Sequence, residues 1–402
     1  MPTLSSVSIL NDLPNNETAP GRVIHNNYAQ KFSSPDCYSL LTVDLKAIQQ
    51  NYLYLCHRVK SSECAAVIKA DAYGLGADTI ALALYEVGCR SFFVAYSDEA
   101  LSLRKTLSRC QQKSTIYVLN GPYLPGWSEF YHEHNLTPVL NTIDDIEERQ
   151  HHAKRIGATL PTALHIDTGM NRLGLPWLDY QRLLTMNTVG IEWCLIMSHL
   201  SCADDSTHST NFNQLRLTRT IRQDFPSVPF SLCNSGGIFL GSAYHYDLVR
   251  PGMALYGLNP TPEAPNPMIP CVGAYTRVLQ VQDVRAGSAI GYGESVTATG
   301  PMRLATIAAG YADGVPWRLS NQNGYVMVNN KKALIVGRVS MDLVSVDVTE
   351  IPEVRPGDWV ALINKDIPID DWAGRSGMIG YELLLKLGKR FQKVYTQSKQ
   401  KC

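Results

Sequence analysis

From residue 38 onward, short apolar runs alternate with longer amphipathic stretches. Residues 38–45 read as a strand leading into a helix over 46–56. The run Ala65-Ala66-Val67-Ile68 reads as a buried strand, followed by a helix over 78–87. The same beat places strands at 91–95, 116–119, 138–140, 163–167, 191–197, 228–232 and 246–249, with helices at 97–106 and 144–155. Strands alternating with helices over this length predict a (β/α)8 TIM-type barrel. A doubly wound sheet is the other α/β solution, but no G-x-G-x-x-G follows an early strand.

The texture changes at the Pro-rich TPEAPNPMIP, which begins at Thr261. Beyond it, short alternating runs at 277–284, 304–309, 324–328, 333–336, 343–348 and 359–362 are separated by turn residues, which predicts a mostly-β domain. A helix over 381–387 is expected to close the chain. Residues 1–37, rich in Ser, Asn and Pro, read as a flexible extension. The expected organisation is therefore an extension over 1–37, an N-terminal barrel over 38–265, and a C-terminal β domain over 266–402.

Composition narrows the function classes. The chain has 402 residues, suiting two domains, and 45% apolar residues, enough for two cores. Lys and Arg total 36, as do Asp and Glu, so nothing in the charge points to nucleic acid or an anionic membrane surface. The ten cysteines form no C-x-x-C pair, which argues against zinc and a disulfide framework. They fit reduced thiols in a cytoplasm. No apolar run suits a membrane span, and the first residues lack the basic start and apolar core of a secretory signal.

Lys69 ends the apolar strand at 65–68. An unpaired ammonium there costs several kcal/mol if buried, on the order of an ion's effective desolvation penalty. The amine can snorkel to water, pair, or form an imine with an aldehyde cofactor. Other candidates also follow apolar runs, where a parallel barrel places its functional groups. They are Arg172 in LHIDTGMNRLG, His199 in IMSHLSCADD, Asn234 and Ser235 in SLCNSGG, and Arg250 in LVRPGMALYG. Taken singly, each is equally a surface arginine, a structural histidine or an ordinary turn.

Taken in order, these stretches resemble the motifs of the alanine racemase family. Lys69-Ala70-Asp71-Ala72-Tyr73-Gly74-Leu75-Gly76 is similar to its cofactor-lysine motif. The resemblance runs from about Tyr38 to the C-terminus and implies pyridoxal 5'-phosphate bound to Lys69. It implies a small amino-acid substrate, alanine, with serine or another small amino acid as the alternative, and an isologous homodimer with shared active sites. Lys69 would serve the D-face of the substrate carbon and Tyr292, in IGYGESVTA, from the partner subunit, the L-face. Arg172 would border the substrate carboxylate, and the backbone of Met341 would contact it. Tyr73, Asn234, Ser235, Gly252, Met253 and Tyr381 would hold the phosphate. Arg250 would face the pyridine nitrogen, with His199 beside the ring in a supporting role and not as a base. Asp204, Tyr311, Arg338 and Asp342 would line or support the entrance. Two positions depart from the family pattern. His165 stands where many members carry a carbamylated lysine that holds the arginine, and Trp317 precedes Arg318 where an arginine is usual. A barrel-type decarboxylase would share Lys69 but need an acid at the ring nitrogen. A non-enzymatic cofactor carrier would lack the β domain.

Overall fold

The computed structural model describes residues 37–121 and 126–396. The extension expected over 1–37 lies, apart from Cys37, outside them. The described residues divide into two compact units, one within Ile48–Ile269 and one formed by residues 37–47 together with 270–396. The first described strand, β1 (Ser39–Asp44), corrects the sequence reading, which put it at the head of the barrel. It pairs antiparallel with β11 (Val272–Val284) and parallel with β19 (Gln392–Thr396), both in the second unit. An apolar run this short carries no signal that separates a barrel strand from a strand of another sheet.

The Ile48–Ile269 unit is the barrel. Its strands are β2 (Glu63–Cys64), β3 (Ala66–Val67), β4 (Ser91–Val94), β5 (Thr115–Val118), β6 (Thr137–Leu140), β7 (Leu160–His165), β8 (Ile191–Met197), β9 (Phe230–Ser231) and β10 (Leu248–Val249). Strands β3 to β9 form one parallel sheet in sequence order, and β10 pairs parallel with β2. Backbone bonds close the ring. Asp247 N donates to Phe230 O at 3.0 Å and Arg250 N to Cys233 O at 2.9 Å, while Ala65 N donates to Val249 O at 2.9 Å. Because β2 and β3 are one broken strand, eight staves result. One residue in two points inward, so Ala65, Val67, Phe93, Tyr117, Val139, Ala163, Leu195, Met197 and Leu248 fill the interior. Phe93 and Tyr117 stack there with centroids 4.5 Å apart.

Several helices around the barrel escaped the sequence reading: Trp127–Glu133, Trp177–Leu183 and Ser209–Asp224. The longest of these, Ser209–Asp224, buries Asn211, Gln214 and Thr218 beside Leu215 and Ile221. Half its inner face is polar, so no apolar stripe marks it.

The second unit is a largely antiparallel sheet ordered β14 (Met302–Ile307), β17 (Val344–Asp347), β16 (Lys331–Val336), β15 (Tyr325–Val328), β18 (Trp359–Ile363), β11, β1, β19. Strand β11 also pairs with β14, curling six of the strands into a closed ring. A satellite hairpin, β12 (Ala289–Ile290) with β13 (Val296–Thr297), carries the loop of Tyr292 and packs through Ile290, Ala298, Leu304 and Val336. The helix expected at 381–387 is present as Gly380–Lys386. It is preceded by Ile369–Ser376, which the sequence reading missed, and followed by β19 instead of closing the chain.

Candidate active site

Lys69 follows β3 at the carboxyl end of the barrel, and the backbone behind it is unusual. Ala70, Asp71, Ala72 and Tyr73 all have φ between 52° and 58°, and Gly74 continues at 84°. Four successive non-glycine residues thus form a left-handed turn. The Cβ clash costs about 1–2 kcal/mol per residue, so this turn stores roughly 4–8 kcal/mol. Specific bonds hold it. Glu99 Oε1 accepts from Ala70 N at 2.6 Å while Oε2 accepts from Ala95 N at 2.7 Å, tying the turn to the end of β4. Asp71 Oδ1 accepts from Ala77 N at 2.8 Å and so starts the next helix. The sequence reading did not single out Glu99. An acid at the third position of a helix reads there as an ordinary cap.

The amine of Lys69 is half-buried, and burial, reinforced by the charge of Arg172, holds its pKa below the usual lysine value. Arg172 itself is exposed, on a loop that Asp167 organises by accepting from Gly169 N and Met170 N at 2.9 Å and from Asn171 N at 3.0 Å. His165, at the end of β7, is buried. Its Nδ1 lies 3.0 Å from Asn141 Oδ1, and the Asn141 amide donates to Val139 O at 3.0 Å. The amide is thereby turned so that its oxygen faces the ring, which makes His165 the Nδ1–H tautomer. Burial, with the charge of Arg250 nearby, pushes its pKa down to about 4. A neutral imidazole therefore stands where a carbamate was the family expectation.

Arg250 is the charged centre of the barrel mouth. It is 3% exposed, and its partners are neutral. Nη2 donates to Ser198 O at 2.6 Å, Nη1 donates to Ser231 Oγ, and Nη2 lies 3.3 Å from His199 Nδ1. Its Cζ sits 5.9 Å from the Phe93 ring centre, above the barrel interior. Desolvation lowers its pKa to about 10, still a cation near neutrality. Burial and the same guanidinium hold His199 well below the usual histidine value, so it too is neutral.

Beside this centre lies a cradle. Ser235 Oγ accepts from Gly252 N at 3.0 Å and from Ala254 N at 3.2 Å, which joins the loop after β9 to the turn Met253–Tyr256. Asn234 Oδ1 accepts from Gly237 N at 3.0 Å, and its amide donates to Leu200 O at 3.3 Å. Gly252 is required. A Cβ there would strike the Tyr73 hydroxyl and meet Val67 Cβ at 3.4 Å. Tyr73 in turn packs on Tyr256, with centroids 4.8 Å apart, and the Tyr256 hydroxyl donates to Val67 O at 2.9 Å. The barrel unit thus gathers Lys69, Tyr73, Arg172, His199, Asn234, Ser235, Arg250, Gly252 and Met253. Asp204 lies exposed on the loop after β8.

The remaining candidates lie in the second unit. Tyr292 is 69% exposed on a tight turn whose neighbours Gly291 and Gly293 have φ of 74° and 67°. A Cβ on Gly293 would meet Arg338 Nη1 at 3.0 Å, so Arg338 flanks the turn. Tyr311 and Met341 are adjacent: Tyr311 N donates to Ser340 O and Ala312 N to Met341 O, both at 3.0 Å. Asp342 belongs to the same corner through Arg390, whose Nη1 donates to it at 2.7 Å. The other side of that guanidinium grips the buried Asp313 with two bonds of 2.7 and 2.8 Å. Tyr381 stands on helix Gly380–Lys386. Trp317 is 55% exposed.

Both units have counterparts. A family model described as the alanine racemase N-terminal domain matches residues 43–260, and one described as the alanine racemase C-terminal domain matches 271–395. The catabolic alanine racemase of Agrobacterium fabrum is 47% identical over 361 residues, covering 89% of this chain and 92% of that protein. The alanine racemase of Brucella ovis is 40% identical over 373 residues, with 89% and 93% covered. Among solved structures, alanine racemase from Bartonella henselae with covalently bound pyridoxal phosphate superposes with a TM-score of 0.85 at 41% identity, covering 89% of this chain and 99% of that one. The biosynthetic alanine racemase of Pseudomonas aeruginosa gives 0.81 at 30% identity, with 89% and 99% covered.

Proposed function

This chain belongs to the alanine racemase family, and on that premise we propose that it interconverts L- and D-alanine by two bases, using pyridoxal phosphate attached to Lys69. The residues present fit that cofactor. The missing Cβ of Gly252 lets the Tyr73 hydroxyl come in close beside the Ser235 hydroxyl, a donor set suited to a phosphate. Asn234, Met253 and Tyr381 complete that set in this reading. Lys69, with its lowered pKa, is the nucleophile that an aldehyde requires. When bound, the cofactor supplies the electron withdrawal that makes the α-proton of alanine acidic.

The observation that carries the reading is the buried Arg250, held by neutral partners only. A guanidinium cannot hand over a proton, so Arg250 would hold the ring of the bound cofactor without protonating its nitrogen. That weakens the electron sink and favours rapid return of the proton to the same carbon. Inversion then needs proton carriers on opposite faces. Lys69 serves one, and Tyr292 of the partner subunit serves the other, in an isologous dimer. Arg172 binds the substrate carboxylate with the Met341 backbone. Asp204, Tyr311, Arg338 and Asp342 line the approach. The free cysteines among the described residues suit a reducing cytoplasm.

The test is a coupled assay. Purified enzyme with pyridoxal phosphate and L-alanine is followed with a D-amino-acid oxidase, and serine is run in parallel. Enantiomers have equal free energy, so the reaction must run to equal amounts of both from either side. Absence of D-alanine would end the reading.

A further inference from the structure

The helix Ser209–Asp224 buries an amide that ties together the two loops feeding the Arg250 centre. Gln214 is fully buried, and both ends of its carboxamide are used twice. Oε1 accepts from Ser201 N at 3.0 Å and from Ser201 Oγ at 3.2 Å. Nε2 donates to His199 O at 2.8 Å and to Thr168 Oγ1 at 3.1 Å. Thr168 Oγ1 lies 2.7 Å from Ser198 Oγ. One residue earlier on the loop after β8, the Ser198 carbonyl receives the Arg250 guanidinium, and His199 offers it Nδ1. Thr168 belongs to the loop after β7 that leads to Arg172. Three residues before Gln214 on the same helix face, Asn211 donates to Cys202 O at 3.0 Å and Asp205 O at 2.8 Å, fastening the rest of the β8 loop.

We propose that Gln214 is a positioning residue for racemisation, its buried carboxamide fixing the His199 carbonyl, next to the Ser198 carbonyl and the His199 ring that hold Arg250, and the Thr168 loop that leads to Arg172. Only an amide meets this pattern of acceptor toward Ser201 and donor toward His199 O and Thr168. Glutamate keeps the acceptor and loses both donors. Leucine keeps the bulk and loses everything. The inference rests on the racemase reading above, and the wild-type enzyme run alongside separates the two. If wild type makes no D-alanine, that reading fails. If wild type racemises and the variants match it, this one fails.

The experiment compares holoenzymes of wild type, Gln214→Leu and Gln214→Glu. It measures kcat and KM for both alanine enantiomers, the pyruvate formed per racemisation, and the 15N signals of His199. Wild-type His199 should show one neutral form protonated at Nε2, because its Nδ1 accepts from Arg250. Both variants should lose about 10- to 100-fold in kcat with KM little changed, as displaced supporting groups do. They should release more pyruvate per turnover and show a mixture of His199 tautomers. Should Gln214→Leu fail to fold, Gln214→Glu decides. A variant that melts earlier while kcat, pyruvate yield and the His199 signals stay at wild-type values would overturn the proposal, since a purely structural clamp would do that.

Discussion

Nη2 of Arg250 lies 3.3 Å from Nδ1 of His199. A guanidinium can only donate, so this contact makes His199 an acceptor at Nδ1 and places its proton on Nε2. The pair is a buried cation and a neutral imidazole, and reversing the charge should change the chemistry as well as the rate. Arg250→Glu is expected to slow racemisation by at least about 100-fold, on the scale of losing a preorganised charge in a dry site. It should also produce pyruvate from alanine, the amino group passing to the cofactor, which would end in its amine form, because an acid in that place could protonate the ring nitrogen. Pyruvate trapped with lactate dehydrogenase is the measurement. A variant that is slow yet makes none would leave the electronic role without support.

The cradle gives a steric prediction. Gly252→Ala puts a methyl group against the Tyr73 hydroxyl. Overpacking of this kind costs about 1–3 kcal/mol, so affinity for pyridoxal phosphate should fall by roughly 5- to 150-fold. Equilibrium dialysis of the cofactor reads it directly. A double variant Gly252→Ala, Tyr73→Phe that binds no worse than Tyr73→Phe alone would trace the clash to that hydroxyl.

Those two positions were singled out in the sequence by their resemblance to family motifs that follow apolar runs. Lys69, Ser235 and Arg250 were legible for the same reason. Glu99 and Gln214 were not. Their partners include backbone groups 29 and 15 residues away, and such backbone contacts leave no mark in side-chain patterning. The helix around Gln214 hid behind its own polar inner face. Strand β1 was found as a strand yet given the wrong sheet, because its apolar run fits either environment. The eight barrel staves, by contrast, announced themselves as regularly spaced apolar runs.

His165 makes stability depend on pH. Its folded pKa, about 4, lies below the ordinary 6.5, so the unfolded chain binds the extra proton between these values. Stability should therefore be intact above about pH 6.5 and fall as pH drops toward 4. At pH 5 the loss from this one group is about 2 kcal/mol by linkage. His165→Gln should flatten the urea midpoint against pH over that window. An unchanged slope in the variant would show that other groups carry it.

The His165–Asn141 pair stands where the family pattern has a carbamylated lysine beside Arg172. Activity should be indifferent to bicarbonate, and mass spectra of peptides trapped under carbon dioxide should show no carbamylated lysine in the barrel. Activation by bicarbonate would contradict this assignment.

The central claim is that each site combines Lys69 of one chain with Tyr292 of the other. Mixed dimers test it most directly. Lys69→Ala and Tyr292→Phe homodimers should each be nearly inactive. Refolded together in equal amounts, about half of the dimers should be mixed, each with one intact site of two, so activity should recover to ~25% of wild type. If both residues act within one chain, no mixture of the two variants recovers any activity, and the shared-site account is wrong.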